Sequence, residues 1–487
     1  MNKLHFGDNL EILQKMDDES VDLICTDPPI NTRRNYNIFF PDSANSIWTW
    51  DKAAEDTRVD IEIKAANSKT YKTLNECLRG YDIMLRNSDS AMRAYLAFMG
   101  PRLAEMHRIL SKTGSIFLHC DPSASHYLKC MMDAIFGAEN FKNEIVWGYK
   151  GPSHEKRWFP RRHDIILFYG KSKDSYFNPD EARVPFTRRI TGTGKNSLLK
   201  GSRTLDKVIA LEEAYSDQGK LIEDYWTDIY GGENMLKLER LDYPNQKPRR
   251  LYERIIKASS NEGDLVLDPF CGGGTTLDAA QALKRYWIGI DITILALDPI
   301  EYRLKDRYGL KPSKDYKIQG YPKNMQDVKK LARDKTKHNE FSHWAVTRLG
   351  LTPSKDVDNN GHPRLWTLKD KKKSDLRILA EVKADKPTPE QIRALQKPME
   401  DNKADIGVLI TLESVTSDIH EIAEKMGKFE YKGLTYPRLQ FWQITDAYFD
   451  DPETIYNDLQ LPGMWRVRPT KKSGRHFSTE QMKLDFE

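Results

Sequence analysis

The stretch Asp264-Leu-Val-Leu-Asp-Pro-Phe-Cys-Gly-Gly-Gly-Thr-Thr276 constrains this chain more than any other. Leu265, Val266 and Leu267 read as a short buried strand closed by Asp268, and the segment from Thr275 to Leu283 reads as a helix. Between them lie Gly272, Gly273 and Gly274. A strand, a tight glycine turn and a helix are how an open α/β sheet makes a ligand crevice at a strand's carboxyl end. The glycines let backbone pass close to a ligand, where a Cβ would collide or forbid a positive φ.

The next strand, Tyr286 to Asp291, ends in an acid about twenty residues after the turn, the spacing of a carboxylate that accepts hydrogen bonds from ribose hydroxyls. That suits an adenosine-containing cofactor. On these residues alone the ligand reading is favoured, with a well-made αβ unit without a ligand as the alternative. No Gly-Lys-Ser/Thr ends the loop, which argues against a phosphate cradle.

The length, 487 residues, allows two to four domains. Lys and Arg number 76 against 72 Asp and Glu, a net charge of +4 that does not by itself announce a nucleic-acid binder. Local clusters could serve, at Lys156-Arg157 with Arg161-Arg162, Arg188-Arg189, Lys247 to Arg250 and Lys369 to Lys373, although most charge runs are solvated faces. Cys25, Cys77, Cys120, Cys130 and Cys271 form no C-x-x-C pair, which argues against a disulfide framework and a zinc site. With no signal peptide and no membrane-length apolar run, a soluble, cytoplasmic protein is expected.

Along the chain, Leu4 to Leu13 reads as a strand turning at Gly7-Asp8 into a helix, and Val21 to Thr26 as a strand delivering Asp27-Pro28-Pro29 to its end. The prolines cannot continue a ladder, so the chain leaves the sheet rigidly just past the acid. Taken alone this is a plain strand exit. Asn31 to Asn37, with Arg33, Arg34 and Tyr36, precedes Trp48 and Trp50, an interleaving that suits base stacking and phosphate contact, or a hydrophobic plug. A periodic helix with Leu96, Met99, Leu103, Met106 and Leu110 on one face follows, with a kink expected at Gly100-Pro101, and then a strand from Ser115 to Cys120. Residues 141–235 lack clean periodicity and read as an inserted module. The turn Tyr243 to Pro248 leads into a helix through Leu251, Ile255 and Ile256.

After residues 311–337, read as a linker, residues 338–450 form a second α/β pattern, and residues 451–487 read as a tail. The strands expected in the second pattern include Leu376 to Lys383, Ile406 to Thr411 and Leu439 to Ile444.

Taken together, the first 310 residues resemble the beta-class DNA amino-methyltransferases. The resemblance rests on Gly7 to Leu10, Thr26 to Pro29, Arg34 to Asn37, Trp48 to Trp50, Leu118 to Pro122, Asn143 to Trp147, Arg162 to Phe168, Tyr243 to Pro248 and Asp268 to Thr276. It implies a Rossmann-like methyltransferase with a mixed seven-stranded sheet. Residues 1–140 would be the catalytic half, 141–235 the target-recognition region and 236–310 the cofactor-binding half. The implied cofactor is S-adenosylmethionine, held by Asp8, Gln246, Lys247, Pro248, Asp268, Pro269, Phe270, Gly272, Thr275 and Asp291. The implied partner is double-stranded DNA, met by Arg33, Arg34, Tyr36, Arg157, Arg161 and Arg162, with a homodimer left open.

The resemblance also implies roles for Asp27, Pro28, Pro29 and Ile30 in methylating an exocyclic base amine. Its lone pair is delocalised into the ring, and hydrogen bonds to the Asp27 carboxylate and Pro28 carbonyl would free it for in-line attack. An Asp before Pro-Pro favours adenine N6, with cytosine N4 the alternative. Ile30 stands where the family carries an aromatic residue to stack on the flipped base, so reduced activity is expected. A DNA-binding protein with impaired catalysis, or methylation of RNA or protein, are the competing readings.

The C-terminal pattern resembles the restriction-endonuclease-like fold. There Asp358 and Glu381 would hold Mg²⁺ beside Lys383, although Glu-x-Lys is a common tripeptide and a degenerate copy would only hold DNA.

Overall fold

The computed structural model describes residues 2–29, 48–151, 155–184, 219–231, 235, 239, 246–292, 296–322, 324–334, 338–347, 352–353, 366–369, 377–431, 433–446, 449 and 459–460. They fall into two compact units, with the boundary between Tyr321 and Pro322.

The first unit contains the strands β1 (Asn2–Phe6), β2 (Val21–Thr26), β3 (Leu110–Cys120), β4 (Phe141–Gly148), β5 (His163–Gly170), β6 (Arg183–Val184), β7 (Lys220–Leu221), β8 (Tyr225–Trp226), β9 (Leu265–Asp268), β10 (Tyr286–Asp291) and β11 (Tyr316–Gln319). Nine of them form one sheet in the order β11-β1-β10-β9-β2-β3-β5-β4-β8. β11 through β3 run parallel, and β5 pairs antiparallel with both β3 and β4. Removing the two edge strands β11 and β8 leaves the expected mixed sheet of seven.

The helices of this unit are α1 (Asn9–Leu13), α2 (Lys52–Ala65), α3 (Lys69–Leu85), α4 (Ser90–Ile109), α5 (Ser125–Phe136), α6 (Arg249–Ser259), α7 (Thr275–Ala282) and α8 (Leu297–Tyr308). Ile24, Ile116, Leu118, Leu167, Leu267 and Ile290 of the sheet share one core with Met99 and Leu103 of α4 and Leu128 and Met131 of α5. Burial of that much apolar side chain is the main force holding sheet to helices. α4 runs on through Pro101. Gly100 there serves packing, because a Cβ would sit 3.0 Å from Leu74 Cδ1 of α3.

Two sequence readings need correction. Residues 141–235 are not wholly an inserted module. β4 and β5 lie inside the sheet, with β5 registered on β3 from Ser115 opposite Gly170 to Cys120 opposite Ile165. Residues 311–337 are not simply a linker, since β11 adds a parallel edge strand to β1.

The second unit carries α9 (Met325–Arg333), α10 (His338–Thr347), β12 (Thr352–Pro353), β13 (Trp366–Lys369), β14 (Arg377–Lys383), α11 (Pro389–Ala394), α12 (Gln396–Asp401), β15 (Ile406–Thr411) and α13 (Ser417–Lys425). A separate hairpin joins β16 (Lys428–Tyr431) to β17 (Leu434–Pro437), and β18 (Leu439–Gln443) follows. The sheet order is β12-β13-β14-β15-β18, antiparallel up to β14 and parallel from β14 to β18. Leu379, Leu409 and Leu439 pack with Ile392, Met399 and Ile419 in its own core. Among the described residues no helix is long and apolar enough to cross a membrane.

Candidate functional site

β2 lies between β9 and β3, with Ile24 opposite Leu267. Asp27 and Asp268 therefore end neighbouring parallel strands at one sheet edge. From β9 the chain crosses to β10 on one side, and from β2 to β3 on the other. Strand order reverses between them, which is where an α/β sheet opens a crevice.

Asp27 is partly buried, and its Oδ2 lies 2.9 Å from Lys247 Nζ. Its Oδ1 and the Oγ1 of Thr26 are buried with no hydrogen-bond partner among the described residues. Each such atom costs roughly 1–3 kcal/mol, so the unpartnered carboxylate oxygen of Asp27 at the crevice fits a place that a ligand completes. Pro28 is buried and Pro29 half-buried, and together they set the chain's exit.

Across the crevice Asp268 is 2% exposed. It accepts hydrogen bonds from Thr276 Oγ1 at 2.6 Å and from the Phe270 N–H at 3.1 Å. Burial, only partly offset by these bonds and reinforced by the charges of Asp27 and Asp291, pushes its carboxyl up to about 7. Gly272 (φ 47°) and Gly274 (φ 74°) take left-handed backbone. A Cβ at Gly274 would also stand 2.6 Å from Ile300 Cγ1. The Gly272 N–H donates to Asp291 Oδ2 at 2.8 Å, which ties the glycine turn to the end of β10. Thr275 is buried at the first position of α7.

Asp8 caps α1 by accepting from the Leu10 N–H at 2.7 Å. It also pairs with Arg102 Nη2 at 2.8 Å. Arg102 Nε donates to Asn9 Oδ1 at 2.7 Å, and Asn9 Nδ2 donates to the carbonyl of Pro269 at 2.8 Å. The Arg102 guanidinium covers the Phe98 ring at 3.4 Å, and Phe98 lies 6.3 Å from Phe270. Burial lowers the Arg102 pKa while Asp8 acts to raise it. Arg102 thus binds Asp8 to the Pro269-Phe270 turn, a role that sequence reading missed. Its signal was a cation amid the apolar α4 sequence Met99 to Met106.

Lys247 lies 3.9 Å from Asp164 Oδ2, which is also 2.9 Å from His119 Nε2. Gln246 Nε2 donates to the Glu239 carbonyl at 2.8 Å, and Pro248 starts α6. Of the six expected DNA contacts, Arg157 and Arg161 are exposed and Arg162 partly so. All three lie between β4 and β5. Since Ile165 opposes Cys120, that connection leaves the same sheet edge as Asp27. It also carries Trp158 (58% exposed) and Phe159 (94% exposed), an unusual apolar display beside arginines.

Ile30, Arg33, Arg34, Tyr36 and Asp358 lie outside the described residues. In the second unit Glu381 Oε1 and Lys383 Nζ are 2.5 Å apart on β14. Among the described residues there is no group of three or more His, Cys, Asp or Glu side chains suited to a metal.

The profile of a family described as DNA methylase (N6_N4_Mtase) matches residues 21–302. The Type II methyltransferase M.EcaI of Enterobacter cloacae is 30% identical over 315 residues, covering 54% of this chain and 69% of the relative. The DNA adenine methyltransferase YhdJ of Escherichia coli (strain K12) is 28% identical over 292 residues, covering 59% of this chain and 76% of the relative. A solved structure of a DNA modification methylase from Thermus thermophilus, complexed with S-adenosyl-L-methionine, aligns with a TM-score of 0.38 and 17% identity, covering 66% of this chain and 100% of that one.

Proposed function

The chain belongs to the N6/N4 DNA methylase family, and from that premise we propose that it methylates an exocyclic base amine in double-stranded DNA, adenine N6 by preference, with S-adenosylmethionine as donor. The observation that carries this reading is the pairing of Asp27, one oxygen unsatisfied, with the glycine turn of the adjacent strand. Asp268 and Asp291 bracket that turn, and Asp8 is tied to it through Asn9 and Arg102. Carboxylates so arranged suit a ligand with a cationic amino-acid end and a ribose diol.

When bound, S-adenosylmethionine supplies an electrophilic methyl group on a sulfonium. Asp27 Oδ1 accepts one amine hydrogen of the flipped base and the Pro28 carbonyl the other, which draws the nitrogen toward the pyramidal form. Gly272 and Gly274 keep side chains out of the donor's path. Arg157, Arg161 and Arg162 hold phosphates at the same edge. Adenine is preferred because an Asp precedes Pro28-Pro29, and because the relative YhdJ is named an adenine methyltransferase. Tritiated methyl transfer to unmethylated genomic DNA, followed by nucleoside analysis, tests the reading. Label in N6-methyl-2′-deoxyadenosine supports it, label in N4-methyl-2′-deoxycytidine moves the target, and no label in DNA defeats it.

Two outcomes are expected at this site. Since the Asp268 carboxyl titrates near 7, its ionised form, which pairs with a cationic ligand, is scarce in acid. Donor affinity should therefore rise up to about tenfold per pH unit below that value and level off above it. In the unliganded protein the sign is the reverse. The stability contributed by this raised carboxyl is full below its ordinary 3.8 and lost as pH rises through about 7. Calorimetry of S-adenosylmethionine binding at several pH values checks the first trend, and Asp268→Asn should flatten both.

Ile30→Tyr would restore a π-face for the extruded base, worth about 1–3 kcal/mol of stacking or a five- to hundredfold gain in turnover. Steady-state methylation assays read it directly, and an unchanged rate discards the idea that Ile30 limits catalysis.

For the second unit, a restriction-endonuclease-like fold is the favoured reading. Helices α9 and α10 precede strands β12, β13 and β14, with α11 and α12 leading to the parallel strand β15, and Glu381 and Lys383 are set two residues apart on β14. Mg²⁺-dependent cleavage of DNA by the full chain, lost in Glu381→Ala, is its test.

A further inference from the structure

The polar groups behind Asp27 form a continuous chain of ion pairs and hydrogen bonds. Asp27 Oδ2 meets Lys247 Nζ at 2.9 Å, and the same ammonium lies 3.9 Å from Asp164 Oδ2. That oxygen accepts from His119 Nε2 at 2.9 Å, while Tyr149 OH donates to Asp164 Oδ1 at 3.3 Å. Five separate segments contribute: the end of β2, the turn before α6, β5, β3 and the residue after β4. His119 is 3% exposed and packs edge-on against Trp147 at 5.8 Å, so the far end of the chain is held rigidly. Burial acts to raise the Asp164 carboxyl, but His119, Lys247 and Tyr149 outweigh it and hold it below its ordinary value, so it is anionic.

Two carboxylates thus share one ammonium. If Lys247 paired with Asp27 alone, that pair would be close to neutral and Asp27 Oδ1 a weaker acceptor. Divided between two anions, Lys247 fixes the orientation of Asp27 through Oδ2 without being committed to Asp27 alone. As the N–CH₃ bond forms, the S–CH₃ bond of the donor breaks and its electron pair stays on sulfur as a neutral thioether, so positive charge passes to the attacking nitrogen until that nitrogen releases a proton to solvent. A fixed Asp27 carboxylate that is only partly neutralised stabilises that state more than the neutral amine of the ground state.

We propose that Asp164 is a positioning residue for methyl transfer, acting through Lys247 to orient Asp27 and to preserve its negative charge. This rests on the amine-methylation reading above. It assigns Lys247 to the acceptor side of the site, as a partner of Asp27, in place of the donor side that the resemblance implies.

The test compares wild type with Asp164→Asn and Asp164→Glu in single-turnover and steady-state transfer of tritiated methyl groups to unmethylated genomic DNA, alongside equilibrium binding of S-adenosylmethionine and thermal melting. Asp164→Asn should lower kcat on the order of tenfold to a hundredfold, the size expected for removing a nearby charge at partial burial. Donor affinity and the KM for DNA should stay within about twofold, the signature of an interaction felt only in the transition state. Asp164→Glu, which keeps the charge, should recover part of the loss. A kcat unchanged within twofold, a rise in KM alone, or a loss that tracks melting and is not recovered by glutamate would overturn the assignment. Absence of any transfer by the wild type would instead defeat the methylation reading itself, and this inference with it.

Discussion

An Asp27→Asn variant should bind S-adenosylmethionine within about threefold of wild type yet transfer its methyl to DNA roughly 10²- to 10³-fold more slowly, the usual effect of removing one preorganised electrostatic partner. The prediction follows from how the two oxygens of Asp27 are used. Oδ2 is committed to Lys247 at 2.9 Å, and Oδ1 is buried without a partner among the described residues. An asparagine that keeps its carbonyl toward Lys247 turns its NH₂ toward the site, so a donor meets the amine hydrogens and the lone pair is no longer drawn out. The opposite rotamer sets NH₂ against the ammonium. Neither serves both partners. Donor binding is spared because Asp268, Asp291 and Asp8 sit on other elements. Single-turnover methyl transfer and calorimetric binding separate the two effects, and a rate within threefold of wild type would remove Asp27 from the chemistry.

What could be read from the chain was mostly local. The strand, glycine turn and helix from Leu265 to Ala282 are contiguous, and β2 announces its own end with Pro28 and Pro29, so both halves of the crevice were legible. β5 carries no strand periodicity because it is buried at every position from Ile165 to Gly170, which erases the two-residue alternation of a half-exposed strand. α2 carries little periodic signal because charged residues interrupt its apolar face, and Val59 and Ile63 stay exposed. The supporting side chains were unreadable for another reason. Arg102 reaches Asp8 across 94 residues, and Asp164 meets His119 across 45. Neither spacing carries a signal until the sheet order is known.

The largest expected loss of stability lies behind the glycine turn, at Asp278→Ala. Asp278 on α7 is wholly buried. It takes an ion pair from Arg303 Nη1 at 3.3 Å, one from Arg307, one from Arg249 Nη1 at 3.6 Å, and a hydrogen bond from Tyr308 OH at 2.6 Å. Arg303 is 1% exposed, and its Nε and Nη2 have no hydrogen-bond partner among the described residues. Burial lowers its guanidinium to about 10, with Asp278 the first of the opposing charges. Deleting the carboxylate leaves that cation buried beside Arg307 and Arg249, a loss of about 3–5 kcal/mol. Melting of the first unit should fall by roughly 6–20 °C. The double variant Asp278→Leu with Arg303→Met removes both charges and fills the space, so it should recover much of the deficit, as apolar replacements of buried ion pairs do. Because Arg249 follows Pro248 directly, the single variant should also loosen the turn that holds Lys247 against Asp27, and methyl transfer should fall more than donor binding. A double variant no more stable than Asp278→Ala would mean that Arg303 is held by something other than its counter-ion.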